Sequence, residues 1–202
     1  IPGIESVTIT TNGVLLAEQL PALLDAGLNG INLSLDTLDR EQFKRITRRD
    51  ELDSALAGLK AALAVPGLNV KLNCVPMGDN DAQLVPLAAL ARDSRLSVRF
   101  IELMPIGLGS SLPRRTQAQV MEILEGAFGP ALPCERAEGA GPGQYVTFRD
   151  FQGKVGFISA MTHQFCGDCN RVRLTATGFL KTCLQYEKGV DLKPLLSGSG
   201  DD

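Results

Sequence analysis

The stretch VTITTNGVLLAEQLPALLDAGLNGINLSLD, residues 7–36, reads as strand, loop, helix and second strand in unbroken succession. VTITTNG is rich in β-branched residues and ends in a loop at Asn12-Gly13. LLAEQLPALLDAG carries helical apolar spacing and closes at Gly27. GINLSLD then resumes as a strand. Outward from this unit the pattern repeats: two helical stretches run through Ala64, NVKLNCVPM (69–77) reads as a strand, DAQLVPLAALARD (81–93) as a helix, and LSVRFIELMP (96–105) as the next strand. Pro21 and Pro86 interrupt two of these helices and leave their starts open. Near-continuous apolar strands separated by helices argue for a parallel sheet covered by helices. Four such units in about 100 residues fit part of a barrel or a doubly wound sheet.

After IGLGSSLPRR (106–115) the style changes. TQAQVMEILEGAFG (116–129) is one more helix, with Thr116 as N-cap and Gly129 near its end. PALPCERAEGAGPGQY is a Gly/Pro-rich loop. The short runs YVTFRD, GKVGFIS, RVRLTATG and FLKTC then predict hairpins.

Composition narrows the function classes. The chain has 202 residues, 44% hydrophobic and 21% charged, with a net charge of −3. That is ordinary globular composition with no general pull toward nucleic acid or anionic membrane. No apolar run approaches the roughly 20 residues that span a bilayer. Five cysteines, an odd number gathered toward one end, suit a reducing compartment and so a cytoplasmic protein.

FCGDCNRVRLTATGFLKTC, residues 165–183, concentrates the chemistry. Cys166 and Cys169 form a CxxC pair, and Cys183 follows after thirteen intervening residues. Three thiols near a predicted hairpin read as a soft-metal clamp for zinc or an iron–sulfur cluster. His163, the single histidine, stands just ahead of the pair, so a zinc ribbon with three cysteines and one histidine is the alternative. Cys74, in a predicted core strand, and Cys134, in a loop, read as bystanders. Arg171 and Arg173 are two apart and would share one face of a strand. Two guanidinium groups beside a metal suit a phosphate-bearing ligand, against the plainer alternative of a solvated strand face.

These residues resemble the GTP 3′,8-cyclase family of radical S-adenosylmethionine (SAM) enzymes, the molybdenum cofactor biosynthesis A proteins. TTNG, INLSLDTLD, VKLNCV, RFIELMPIG, GFISAMTHQFCGDCNR and CGDCNRVRLTATGFLKTCL match family landmarks in order across almost the whole chain. The resemblance implies a partial radical SAM barrel of the TIM type at residues 1–106. An α+β extension at 107–202 would hold an auxiliary 4Fe–4S cluster and the GTP site. Cys166, Cys169 and Cys183 would hold that cluster, with its open iron toward the guanine of GTP. Thr10, Lys71, Arg171, Val172 and Arg173 would contact GTP, and Ser34 and Met104 would contact SAM. Thr10, Ser34, Lys71 and Met104 fall on or near four successive predicted strands, which suits ligands lying across a barrel mouth.

The implied activity is cyclisation of GTP to (8S)-3′,8-cyclo-7,8-dihydroguanosine 5′-triphosphate through a SAM-derived radical. The downstream partner would be cyclic pyranopterin monophosphate synthase, and a homodimer stays open. The family's CxxxCxxC loop, which carries a second 4Fe–4S cluster to cleave SAM, has no counterpart in this sequence. The chain is therefore expected to be a partial sequence, inactive in SAM cleavage by itself. A zinc-bearing nucleotide-binding module without catalysis is the competing expectation.

Overall fold

Helical crossovers make the N-terminal strands parallel, but their apolar and polar residues alternate instead of forming the near-continuous apolar runs expected, because the helices pack on one face of the sheet. The computed structural model describes residues 2–134, 143–162, 171–184 and 186–196. The chain divides into two compact units, residues 1–164 and 165–202. In the first, β1 (Thr8–Thr11), β2 (Gly30–Ser34), β3 (Asn69–Cys74) and β4 (Ser97–Ile101) alternate with α1 (Leu16–Asp25), α2 (Arg40–Thr47), α3 (Leu52–Leu63) and α4 (Asp81–Ala89). A 3₁₀ turn at Gly107–Ser110 and α5 (Gln117–Phe128) follow, then β5 (Leu132–Pro133), β6 (Gln144–Thr147) and β7 (Lys154–Ile158).

These seven strands make one sheet in the order β1-β2-β3-β4-β7-β6-β5. β1 to β4 and β7 run parallel, and β6 and β5 complete the sheet antiparallel. The expected mixed α/β fold with a parallel sheet is what the chain forms. β7 does more than close a hairpin with β6. It also lies parallel to β4, since Val155 and Phe157 continue the apolar row begun by Val98 and Phe100.

The helices cover one face. Leu16 and Leu20 of α1, Leu59 of α3, Leu84 and Leu87 of α4, and Val120 and Leu124 of α5 pack with Ile31, Leu33, Val70, Leu72, Val98 and Val155 in a single core. Pro21 and Pro86 sit inside α1 and α4 rather than ahead of them. Burial of the leucines around each proline outweighs the lost backbone bond. Thr116 caps α5 as expected: its hydroxyl accepts from Gln119 N–H, and the Gln119 side chain accepts from Thr116 N–H.

The second unit pairs β8 (Arg173–Leu174), β9 (Phe179–Lys181) and β10 (Gly189–Asp191) antiparallel in the order β10-β9-β8, followed by α6 (Lys193–Leu196). The expected strand RVRLTATG is shorter than its alternation suggests, and Arg171 lies outside it. Strand alternation therefore does not hold Arg171 and Arg173 to one face. Among the described residues, no helix is long and apolar enough to cross a membrane.

Gly58 in α3 marks the closest packing of the first unit. A Cβ there would run into the Gly13 carbonyl oxygen and stand 3.0 Å from Leu16 Cβ. Gly58→Ala should therefore destabilise the chain by about 1–3 kcal/mol in urea unfolding, the usual cost of overpacking. Gly126→Ala is the control at an exposed position of α5, where an added methyl meets nothing within 4 Å; it should stabilise by about 0.5–1 kcal/mol.

Candidate functional site

Register sorts the sheet into two faces of opposite chemistry. Ile31, Leu33, Val70, Leu72, Val98, Phe100, Val155 and Phe157 fill the helix-covered face. On the other face Thr10 pairs with Asn32, Asn32 with Lys71, Lys71 with Ser97 and Ser97 with Lys154. The neighbouring row runs Ser34, Asn73, Arg99 and Gly156. Three basic side chains, Lys71, Arg99 and Lys154, thus stand on a face whose paired positions carry no carboxylate.

Arg99 organises the polar rows. It is 6% exposed, donates from Nε to Asn73 Oδ1 at 2.8 Å, and from Nη2 to Asn32 Oδ1 at 2.6 Å. One guanidinium thereby spans β2, β3 and β4, donating to two amide oxygens. Gly156 makes room beside it: a Cβ there would stand 2.6 Å from the Tyr145 ring and 3.1 Å from Arg99 Cγ.

Side chains also hold the C-terminal ends of the strands. Asn80, fully buried, donates to the Asp36 and Val75 carbonyls at 2.9 and 3.1 Å, and its Oδ1 accepts from Met77 N–H at 2.8 Å. Burial raises the Asp36 carboxyl above its ordinary range despite a bond from Val75 N–H. Burial likewise raises the Cys74 thiol, and Asp36 nearby pushes it further up, so Cys74 is a core residue.

Glu102, just past β4, is 7% exposed. Its Oε2 accepts from Met161 N–H and Thr162 N–H, each at 2.9 Å, and its Oε1 accepts from Thr162 Oγ1 at 2.5 Å and Gln117 N–H at 3.3 Å. Burial alone would raise its pKa, but these four donors outweigh it and hold the carboxyl below its ordinary value.

The expected site residues divide between the two units. Thr10 and Lys71 share one row, Ser34 ends β2 in the next, and Met104 follows the end of β4. Thr10 and Ser34 are exposed, while Lys71 and Met104 are half-buried. In the second unit Arg171 and Val172 are exposed ahead of β8, and Arg173 opens it half-buried. Arg173 pairs with Lys181, and Cys183, half-buried, lies two residues past the end of β9. Cys166 and Cys169, with His163, lie outside the described residues. Among the described residues no three His, Cys, Asp or Glu side chains gather as a metal-ligand set.

Asn32, Asn73, Arg99 and Glu102 were not singled out by motif. Their signal was present as polar residues at every second position of INLS and NVKLN, and as SVRF and IELM, inside strands otherwise apolar.

Comparison with known proteins gives this geometry a family. Residues 1–91 match the radical SAM superfamily, and residues 96–202 match the family described as Molybdenum Cofactor Synthesis C. The chain belongs to that family. It is 43% identical over 205 residues to a GTP 3′,8-cyclase of Pelotomaculum thermopropionicum, covering 99% of this chain and 63% of the relative. A GTP 3′,8-cyclase of Clostridium perfringens is 40% identical over 194 residues, 96% of this chain and 60% of the relative. One from Bradyrhizobium diazoefficiens is 40% identical over 213 residues, 98% and 58%. The chain thus spans less than two thirds of the length of the curated relatives it matches. The resemblance read from the motifs is borne out.

Glu102 makes acid stability a test of the strand-end geometry. Its folded-state pKa lies below the ordinary 4.5, so its contribution is present above that value and is lost as pH falls through the lower, folded one. Glu102→Gln should cost about 1–3 kcal/mol near pH 7 by leaving donors unmatched. In urea unfolding across a pH series, that gap from wild type should narrow as both are taken into acid.

Proposed function

We propose that this chain supplies the substrate-holding part of a GTP 3′,8-cyclase, which converts GTP to (8S)-3′,8-cyclo-7,8-dihydroguanosine 5′-triphosphate in molybdenum cofactor biosynthesis. The observation that carries the reading is the polar sheet face on which Thr10, Lys71, Ser34 and Arg99 occupy adjacent register rows. An anionic nucleotide fits that face, because basic groups, amides and hydroxyls gather on it.

Residues 1–106 are read as part of a radical SAM barrel, with ligands at the C-terminal strand ends as in other barrels. Residues 107–202 are read as the extension that completes the GTP site. Lys71 meets the phosphates, with Arg99 adding positive potential from the next row. Thr10 hydrogen-bonds the nucleotide, and Ser34 and Met104 hold SAM. Arg171 and Arg173 bind GTP through their planar donor forks, with Val172 between them. Cys166, Cys169 and Cys183 are a donor set suited to a 4Fe–4S cluster, three thiolates leaving one iron open. When bound, SAM at its own 4Fe–4S cluster supplies removal of a ribose hydrogen, and the auxiliary cluster supplies the open iron for guanine. The chain's residues bind and orient the nucleotide between them. The product would pass to a cyclic pyranopterin monophosphate synthase in the cytoplasm, and a homodimer is compatible with this role.

The test is binding by the anaerobically reconstituted chain. It should contain iron and acid-labile sulfide and bind GTP in calorimetry. Arg173→Ala and Lys71→Ala should each weaken GTP binding about tenfold or more, the loss expected for a hydrogen bond to a charged group. Cys183→Ser should lower the iron content. Colourless protein with tightly bound zinc, or GTP binding unchanged in both cation variants, would reject the proposal.

A further inference from the structure

Glu102 lies where three pieces of the first unit meet. Its own N–H donates to the Ile158 carbonyl at 3.0 Å, so β4 and β7 stay paired up to this residue. Its carboxylate takes two backbone N–H groups and one hydroxyl from Met161 and Thr162, and one N–H from Gln117 at the start of α5. Ser159 Oγ donates to Gln117 Oε1 at 2.5 Å, fastening the same two segments a second time. Each of these four partners of the Glu102 carboxylate is a donor, so the ionised form satisfies all of them; a glutamine would turn an NH₂ group toward one of them.

Met161 and Thr162 are the last described residues before the cysteine segment, and Cys166 follows Thr162 by four positions. Past Ile158 the chain has left the ladder, and backbone donors without strand partners need another acceptor. Glu102 is that acceptor. We infer that Glu102 is a positioning residue: its carboxylate fixes the point from which the chain departs toward Cys166 and Cys169, and so governs how readily the thiols hold their cluster. It touches neither substrate nor metal in this role. Met104, two residues further along the same chain, starts from the same fixed point.

The inference rests on the reading in which Cys166, Cys169 and Cys183 hold an iron–sulfur cluster, and the experiment separates the two. Wild type, Glu102→Gln and Asn80→Ala are prepared as the full chain and reconstituted anaerobically. Asn80→Ala removes a buried amide elsewhere in the unit and serves as the control for lost stability. Amide exchange by NMR, iron content and the electron paramagnetic resonance spectrum of the reduced cluster are measured on each.

In Glu102→Gln the Met161 and Thr162 amides should exchange about tenfold faster or more, while the β3 amides keep their protection relative to global unfolding. Iron content should fall and the spectrum should change. Asn80→Ala, compared at equal fraction folded, should keep the wild-type iron content and spectrum. Wild-type iron and spectrum in Glu102→Gln would overturn the inference and leave the cluster reading standing. Equal iron loss in Asn80→Ala would reduce Glu102 to a stabilising residue. A wild-type chain that takes up no iron would remove the cluster reading, and the inference with it.

Discussion

A guanidinium buried in a parallel sheet dictates what can surround it. Arg99 is nearly inaccessible, and its bonds to Asn32 and Asn73 cross two strand boundaries. A charge at such depth needs donors matched to acceptors, since desolvation without partners costs several kcal/mol. Asn32 and Asn73, both neutral amides, accept from this guanidinium. That choice gives the polar face its character: Lys71 and Lys154 stand in the adjacent row, and no paired position supplies an acid. The strand register is as much a property of this network as of the apolar face behind it.

The strand ends are managed by a second device. A parallel strand that stops leaves backbone groups without ladder partners, and loops must satisfy them otherwise. Beyond β3, Asn80 closes the turn with its amide, donating to Asp36 and Val75 and accepting from Met77. Beyond β4 and β7, Glu102 does the same with a carboxylate. Both are buried side chains in segments outside helix and strand. Loop conformation at this end of the sheet is thus set from inside, by a few polar side chains with all their capacity engaged.

The second unit is built differently. Its three short strands bury little, with Val172, Leu174, Leu184, Tyr186, Val190, Leu195 and Leu196 all exposed. The Lys181–Glu187 ion pair, 3.1 Å long with Glu187 almost fully exposed, adds little in water. Cys183 sits just past β9, half-buried.

Much of this was legible in the chain itself. β-branched and apolar runs in VTITT, INLS, NVKLN and SVRF marked where strands lie; that their polar residues gather on one face appeared only with the strand register, through the period-two direction of strand side chains. Local chemistry determined the α5 cap, since Thr116 and Gln119 complete each other within one turn. The motif residues determined the family, because thiols and arginines at fixed spacing serve a narrow chemistry. Tertiary structure alone decided what depends on distant partners. β7 joins β4 across a long excursion, an arrangement that hairpin spacing does not reveal. α1 and α4 continue through Pro21 and Pro86 because buried leucines outweigh a local penalty. RVRLTATG shortens to two paired residues because alternation proposes a strand and only a partner extends it. Arg99 and Glu102 are the sharpest cases. Each is one polar letter in an apolar run, and its role appears only when Asn32, Asn73, Met161 and Thr162 are folded around it, since hydrogen bonds form between neighbours in space and not in sequence.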